Sequence, residues 1–362
     1  MRMEMTSFAE VFLNPVAQVK FVHTVSAGYT TAAMFVLGIS AYYLLKGRDL
    51  AFARRSFAIA SAFGLAASLS VILLGDESGY EIGDIQKTKL AVIEAEWETE
   101  EAPAAFTLFG MPNDETMETD YAIKIPYVMG IIATRSIDEE VTGIKDLIIE
   151  HEARIRNGMH AYALLQRLRN GEVNDEIKAE FDAVKIDLGF GLLLKKYTDK
   201  VVDATEEQIK MAARDTIPSV APMFWAFRIM VACGFWMLMI FALSFYYTAR
   251  RTSFNKPWLL RLALFSIPAP WIASEMGWFV AEFGRQPWAI GEILPTYVAP
   301  SVLTKADLLG SLFAFIALYT LLAIVEVYLM LKFARLGPSS LHTGRYHFEQ
   351  QGNTPAEAAA KA

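Results

Sequence analysis

An ionisable side chain in a long apolar stretch needs a reason to be there, because a charge at mid-membrane costs roughly 2.5–3.5 kcal/mol on insertion scales. This chain has few. Of its five histidines only His23 falls in an apolar block. Its imidazole could hydrogen-bond a neighbouring helix or ligate haem iron as an axial base. Met230 stands in another block at a similar depth from the same end, and a thioether is an axial partner of imidazole on haem. Most of the 15 methionines must serve packing instead. Arg228, two positions before Met230, points off that face and needs an anion. A haem propionate would serve, and so would a membrane carboxylate.

The segment PAPWIASEMGWFVAEFGRQPW holds a second group. Glu275 and Glu282 are seven residues apart on one helical stripe, with Trp278 between them and Arg285 one turn later. Two carboxylates on one face suit a proton path or a metal ligand. Trp278, Trp288 and Arg285 equally suit a helix end in the aromatic belt of a membrane interface. Glu326 is a third carboxylate in apolar surroundings, where a hydrogen bond to another helix would satisfy it.

The elements that must position these residues are membrane helices. Over half of the 362 residues are hydrophobic and the mean hydropathy is +0.30. The excess is concentrated in blocks at 17–45, 52–75, 217–248, 258–281 and 306–334, each about as long as a membrane-crossing helix. The pattern predicts an all-α membrane protein with five transmembrane helices, and excludes an ordinary soluble domain. Cys233 has no partner within the chain and reads as a small core residue. Residues 1–16 are polar and short, without the apolar core of a signal peptide.

Charge divides the chain further. Between Asp76 and Pro218 stand 30 acidic and 16 basic residues, a local −14, while the remainder carries +7. A water-facing insert, 76–216, therefore separates helices 1–2 (within 1–75) from helices 3–5 (217–334), with a polar tail at 335–362. The connections after the first, third and fifth blocks are basic: Lys46, Arg48, Arg54 and Arg55, then Arg250, Arg251, Lys256 and Arg261, then Lys332 and Arg335. The positive-inside rule places these ends in the cytoplasm and the insert outside. Within the insert, 142–170 has apolar positions at helical spacing and stops at Gly171, and 89–98 reads as a shorter helix. The tail GNTPAEAAAKA has the composition of a disordered segment.

The segments GDESGYEIGDIQKTKLAVIEAEWE, FRIMVACGF, GWFVAEFGRQPWAIGEILPT and KFARLGPSSLHTGRYHFEQ resemble subunit I of the cytochrome bd quinol oxidases. The resemblance covers essentially the whole chain. It implies that the acidic insert is the family's periplasmic Q loop in its long form. It implies that His23 and Met230 ligate the low-spin haem b, that Arg228 supports that haem, and that Glu282 ligates the high-spin haem b. Trp278 then lies close to the haems, with Arg285 in the same cofactor region. Lys89 and Glu94 match residues implicated in quinol oxidation, although on a straight helix they stand about 140° apart and do not share a face.

The function implied is that of a terminal respiratory oxidase in the bacterial inner membrane. Quinol (ubiquinol or menaquinol) is oxidised at the outer face, and electrons pass through the b haems to haem d, where oxygen becomes water. The implied partners are subunit II, a small accessory subunit and membrane lipid, with no nucleic acid. Family members have nine membrane helices in this subunit against the five expected here, so the chain reads as a C-terminal portion, inactive by itself. A non-catalytic membrane protein, such as a proton-coupled transporter using Glu275 and Glu282, is the alternative from the residues alone.

Overall fold

The structure is a computed structural model that describes residues 5–133, 135–136 and 138–338. His342, His347 and the tail segment lie outside the described residues. A short helix, α1 (Phe8–Phe12), precedes α2 (Pro15–Lys46) and α3 (Leu50–Ile85). Next come α4 (Lys87–Glu94), the hairpin β1 (Phe106–Asn113) and β2 (Glu118–Ile125), and α5 (Val128–Ala133). The insert continues with α6 (Ile144–Arg169), α7 (Asp175–Val184), α8 (Leu188–Leu193) and α9 (Glu206–Arg214). The remainder is α10 (Val220–Ala249), α11 (Pro257–Phe265), α12 (Ala269–Phe283), the small pair β3 (Trp288–Ile290) and β4 (Leu294–Pro295), and α13 (Lys305–Leu336).

Among the described residues four helices are long and apolar enough to cross a membrane: α2, α3, α10 and α13. The fourth apolar block, expected as one helix over 258–281, is instead the pair α11 and α12, broken at residues 266–268. Pro268 and Pro270 cause the break: neither offers an N–H to the carbonyl four residues back, and each disfavours helical geometry in the residue before it. The helix α3 also outruns its apolar block, so the GDESGYE motif is helical up to Ile85.

The chain divides into two compact units. The first comprises Ile72–Cys233, Ile272–Ser301 and the described part of 1–24. Among the described residues it has two apolar cores. In one, Leu90–Ile93 of α4 pack with Ile144 and Leu147 of α6, Val220, Met223 and Phe224 of α10, and Val280 of α12. Each large side chain buried in this way contributes about 1.5–3 kcal/mol. The other core gathers Ile155 of α6, Phe190 and Leu193 of α8, Ile209 of α9, and Trp288. Helix α6 serves both cores, as its periodicity predicts. It ends at Arg169 and is capped by Asn170, followed by Gly171 at φ +94°. Its closest approach is to α8, where a Cβ on Gly158 would stand 2.2 Å from the Gly191 nitrogen and 2.3 Å from the Asp187 carbonyl. Backbone cannot yield there, so only glycine permits the crossing.

The β1–β2 hairpin was not expected from the sequence. The Asn113 Oδ1 accepts from the Glu115 amide at 2.9 Å, and Met117 takes φ +54° to close the turn. Helix α4 stops at Glu94, four residues short of its expected end, because Ala95 adopts the left-handed conformation (φ 54°, ψ 41°).

The second unit comprises Val25–Val71, Gly234–Trp271 and the described part of 302–362. Gly64 of α3 makes room for the Phe241 ring of α10, and Gly38 of α2 for Ile267. The Tyr43 hydroxyl donates to the Ala334 carbonyl at 2.9 Å, and Arg48 Nη1 to that of Arg335 at 2.9 Å, so the corner between α2 and α3 satisfies the last carbonyls of α13. No residue of α13 is buried within the chain. Its apolar sides are suited to hydrocarbon.

Candidate functional site

The site is built around α4, a helix of eight residues whose last six, Lys89 to Glu94, are all buried. Two of the six are charged, and they leave the helix in different directions, as the 140° offset requires. Lys89 reaches α12, where its Nζ donates to the Ala281 carbonyl at 3.3 Å. Its stem lies over Gly284, where an added Cβ would come within 3.0 Å of the lysine Cε and 2.5 Å of the Val280 carbonyl. Burial pushes the Lys89 amine down to about 8; Lys20 and Arg285 push the same way and Glu282 opposes them. This lysine is therefore poised to lose its proton not far above neutral pH.

Glu94 turns to α10 and meets Arg228, with Glu94 Oε2 accepting from Nη2 at 2.9 Å. Nη1 donates to the Ile93 carbonyl at 2.6 Å and the Phe224 carbonyl at 3.3 Å, Nε donates to the Thr107 carbonyl at 3.0 Å, and Nη2 donates to Thr107 as well. All five guanidinium donors can thus be used. The guanidinium also lies over the Phe224 ring at 3.3 Å. Of the two anions open to Arg228 from the sequence, the structure supplies a carboxylate, and it belongs to the insert rather than to another membrane helix. Burial pushes the Glu94 carboxyl up to about 7 against the pull of Arg228. The α4 helix therefore presents a carboxylate and an amine, both titrating near neutral pH.

The remaining predicted residues lie on other helices. His23 of α2 faces α3, where a Cβ on Gly75 would stand 3.4 Å from its Cε1. Met230 of α10 faces α12, where a Cβ on Gly277 would stand 2.9 Å from the sulfur. Imidazole and thioether are the donor set of a six-coordinate, low-spin haem. By donor chemistry the two residue types suit haem iron. Glu282 and Arg285 form an ion pair at 2.6 Å across one turn of chain, both about half exposed. Trp278 is 64% exposed, and Glu275 and Glu326 are also exposed.

The structure thus joins Glu94 to Arg228, and sets Lys89 among Glu282, Arg285 and Lys20. Sequence reasoning missed the Thr107 carbonyl, Lys20, Gly284 and Glu96, a carboxylate buried to 4% exposure. Only Glu96 left a trace, in the alternating acids of EAEWE.

Four long apolar helices, with a buried amine and a buried carboxylate on a short helix of the insert, define an all-α membrane protein. Comparison with known proteins gives the family. Residues 1–338 match the model of the cytochrome bd terminal oxidase subunit I family, and the chain belongs to it. It is 48% identical over 352 residues to the cytochrome bd-II ubiquinol oxidase subunit 1 of Escherichia coli (strain K12), covering 97% of this chain and 68% of that one. It is 28% identical to the cytochrome bd ubiquinol oxidase subunit 1 of Bacillus subtilis (strain 168), covering 93% and 60%. The solved structure of the bd oxidase from Geobacillus thermodenitrificans has the same fold at TM-score 0.63 and 22% identity, over 91% of this chain and 60% of that one. The chain thus spans about 60–68% of the length of these relatives. Family membership removes the support for the transporter alternative.

Proposed function

We propose that this chain carries the quinol-oxidising site of a terminal oxidase, formed where α4 meets α10 and α12, and that electrons leave quinol toward a haem held by His23 and Met230. The observation that carries this reading is the Glu94–Arg228 pair. It ties the proton-accepting carboxylate of α4 to the helix that bears Met230, two residues away. Glu94, when ionised, accepts a proton from a quinol hydroxyl, and Lys89 hydrogen-bonds the second oxygen of the ring. Arg228 holds the carboxylate in place and stabilises its charge. Helix α4 is buried against Met223, Phe224 and Val280, which keeps bulk water away from both groups.

When bound, haem supplies iron that takes one electron at a time. His23 and Met230 would hold the low-spin haem b, and Glu282 the high-spin haem b, with Arg285 and Trp278 beside it. Haem d would supply the chemistry that reduces oxygen to water, with subunit II and a small accessory subunit as partners. Two relatives, in Escherichia coli and Bacillus subtilis, are ubiquinol oxidases by name, and a further Bacillus subtilis relative is named a putative menaquinol oxidase. The substrate class is accordingly a quinol, ubiquinol or menaquinol. In this reading the protein lies in the bacterial inner membrane, and the charge alternation supports a periplasmic 76–216 Q loop and a cytoplasmic 335–362 tail.

Two measurements test this on the assembled oxidase. Lys89→Ala is expected to raise the quinol KM or lower kcat about tenfold or more with haem content unchanged; unaltered kinetics would remove Lys89 from the site. Met230→Leu is expected to convert the low-spin haem signal to high spin and lower its potential, because the thioether is lost while the imidazole remains. A low-spin spectrum that survives both Met230→Leu and His23→Ala would refute the ligand pair.

A further inference from the structure

Quinol oxidation releases two protons with two electrons, and a single carboxylate accepts only one at a time. The first proton must move on before Glu94 can act again. Immediately after α4 the left-handed Ala95 turns the chain back, and the Glu96 amide donates to the Ala91 carbonyl at 2.9 Å. The Glu96 carbonyl is then fixed by the Ile144 amide at 2.8 Å, so the residue is held against the start of α6. Its side chain is almost wholly buried, at 4% exposure. Among the described residues none gives its carboxyl a hydrogen bond or an ion pair. Its oxygens are not among the fully buried polar atoms that lack a partner, so the carboxyl keeps a narrow contact with water.

The charges that act on Glu96 are Glu94 on α4, Glu100 in the following loop and Lys124 on β2. Arg228 of α10 reaches it only through Glu94. The charges of α6 nearest in sequence to its anchor are engaged elsewhere: Lys145 with Glu98, and Asp146 with Thr99. Glu100 is paired with Lys124 and also accepts from the Ala105 amide at 2.9 Å. Its side chain is 25% exposed, against 42% for Lys124. Glu94 and Glu96 are thus buried alike, and Glu100 and Lys124 stand nearer to solvent.

We propose that Glu96 is the proton-release carboxylate of the quinol site, taking the proton from Glu94 and passing it to water at the Glu100–Lys124 pair. The inference rests on the quinol-site reading above. The two electrons would be taken by the haem that His23 and Met230 would hold. At each turn an O–H bond of the quinol breaks and one forms on Glu94, the proton moves to the Glu96 carboxylate, and it leaves to solvent as Glu96 ionises again. Two such turns account for both protons. Burial, reinforced by Glu100, pushes the Glu96 carboxyl up to about 7, level with its neighbour, so the transfer is nearly isoenergetic.

The test uses the assembled oxidase and its quinol substrate. Glu96→Gln keeps the shape and removes the titration. It is expected to lower kcat at least tenfold with KM and haem spectrum unchanged, to raise the solvent isotope effect on kcat, and to slow proton release seen by a pH dye outside proteoliposomes. Glu96→Asp is expected to recover a large part of the rate. A wild-type kcat and pH profile in Glu96→Gln would overturn the proposal, as would a raised KM at unchanged kcat. Loss of haem in Glu96→Gln, or no recovery in Glu96→Asp, would assign the carboxyl a structural role and overturn it equally. Glu94→Gln is the control. If Glu94→Gln oxidises quinol normally, the site reading itself fails, whereas an inactive Glu94→Gln beside a normal Glu96→Gln defeats only the release step.

Discussion

Arg228→Leu is expected to abolish quinol oxidation, lowering kcat by about 10²–10⁴, the range contributed by one positioned proton acceptor. The guanidinium is 8% exposed and is held by the Glu94 carboxylate and by the carbonyls of Ile93, Phe224 and Thr107. Leucine fills part of the space but leaves Glu94 buried without a counter-charge. Breaking one side of a buried ion pair costs about 3–5 kcal/mol, far more than an exposed pair contributes. The protein has one inexpensive response, which is to protonate Glu94. A protonated Glu94 cannot take the quinol proton, so the loss appears in kcat. The double variant Arg228→Leu with Glu94→Gln removes both charges and is expected to be more stable than Arg228→Leu alone, yet equally inactive. Thermal unfolding and quinol kinetics on the three variants check this. If Arg228→Leu retains most of the wild-type kcat, the pair has no part in the reaction.

The second large effect is on pH. Glu94 acts as a base only when ionised, and burial raises its carboxyl to about 7. Below pH 7 the ionised fraction falls about tenfold per unit, and kcat falls with it. Lys89 works in the opposite sense. Its amine is pushed down to about 8, first by burial and then by Lys20. Above pH 8 it loses the charge that strengthens its hydrogen bond to the quinol oxygen. A bell with limbs near 7 and 8 is therefore expected, the acid limb belonging to Glu94 and Glu96 jointly because the two interact. In Glu94→Gln the acid limb should vanish along with most of the rate. An acid limb that persists unchanged in that variant would assign it to another group.

Much of this architecture is legible in the sequence because it rests on local patterns. Length and hydropathy are enough to place α2, α3, α10 and α13, and the apolar period of α6 with its terminal Gly171 is enough for that helix. The fourth apolar block shows the limit. Hydropathy averages over the segment and does not register that Pro268 and Pro270 each remove a backbone donor. The β1–β2 hairpin escaped notice for a different reason: β2 is exposed along nearly its whole length, so it carries no alternation of buried and exposed positions. At the site, helical geometry correctly separates Lys89 from Glu94 and says nothing of their partners. Those partners, Ala281 and Arg228, lie 192 and 134 residues away. No spacing rule reaches that far. The resemblance to the cytochrome bd family singled out Lys89 and Glu94, and packing explains why their side chains part, one to α12 and the other to α10.

The way Arg228 is held has a consequence for sequence drift. Three of its anchors are the backbone carbonyls of Ile93, Phe224 and Thr107, which every amino acid provides whatever its side chain. Positions 93 and 107 can change identity without touching these bonds, so long as their backbone keeps its path. The guanidinium has no such freedom, since lysine offers three donors in place of five and cannot span the same fork. In a saturation library the tolerance at this cluster should therefore be one-sided. Residues that contribute main-chain oxygen should accept many substitutions of similar bulk, while the arginine that reads them should accept almost none.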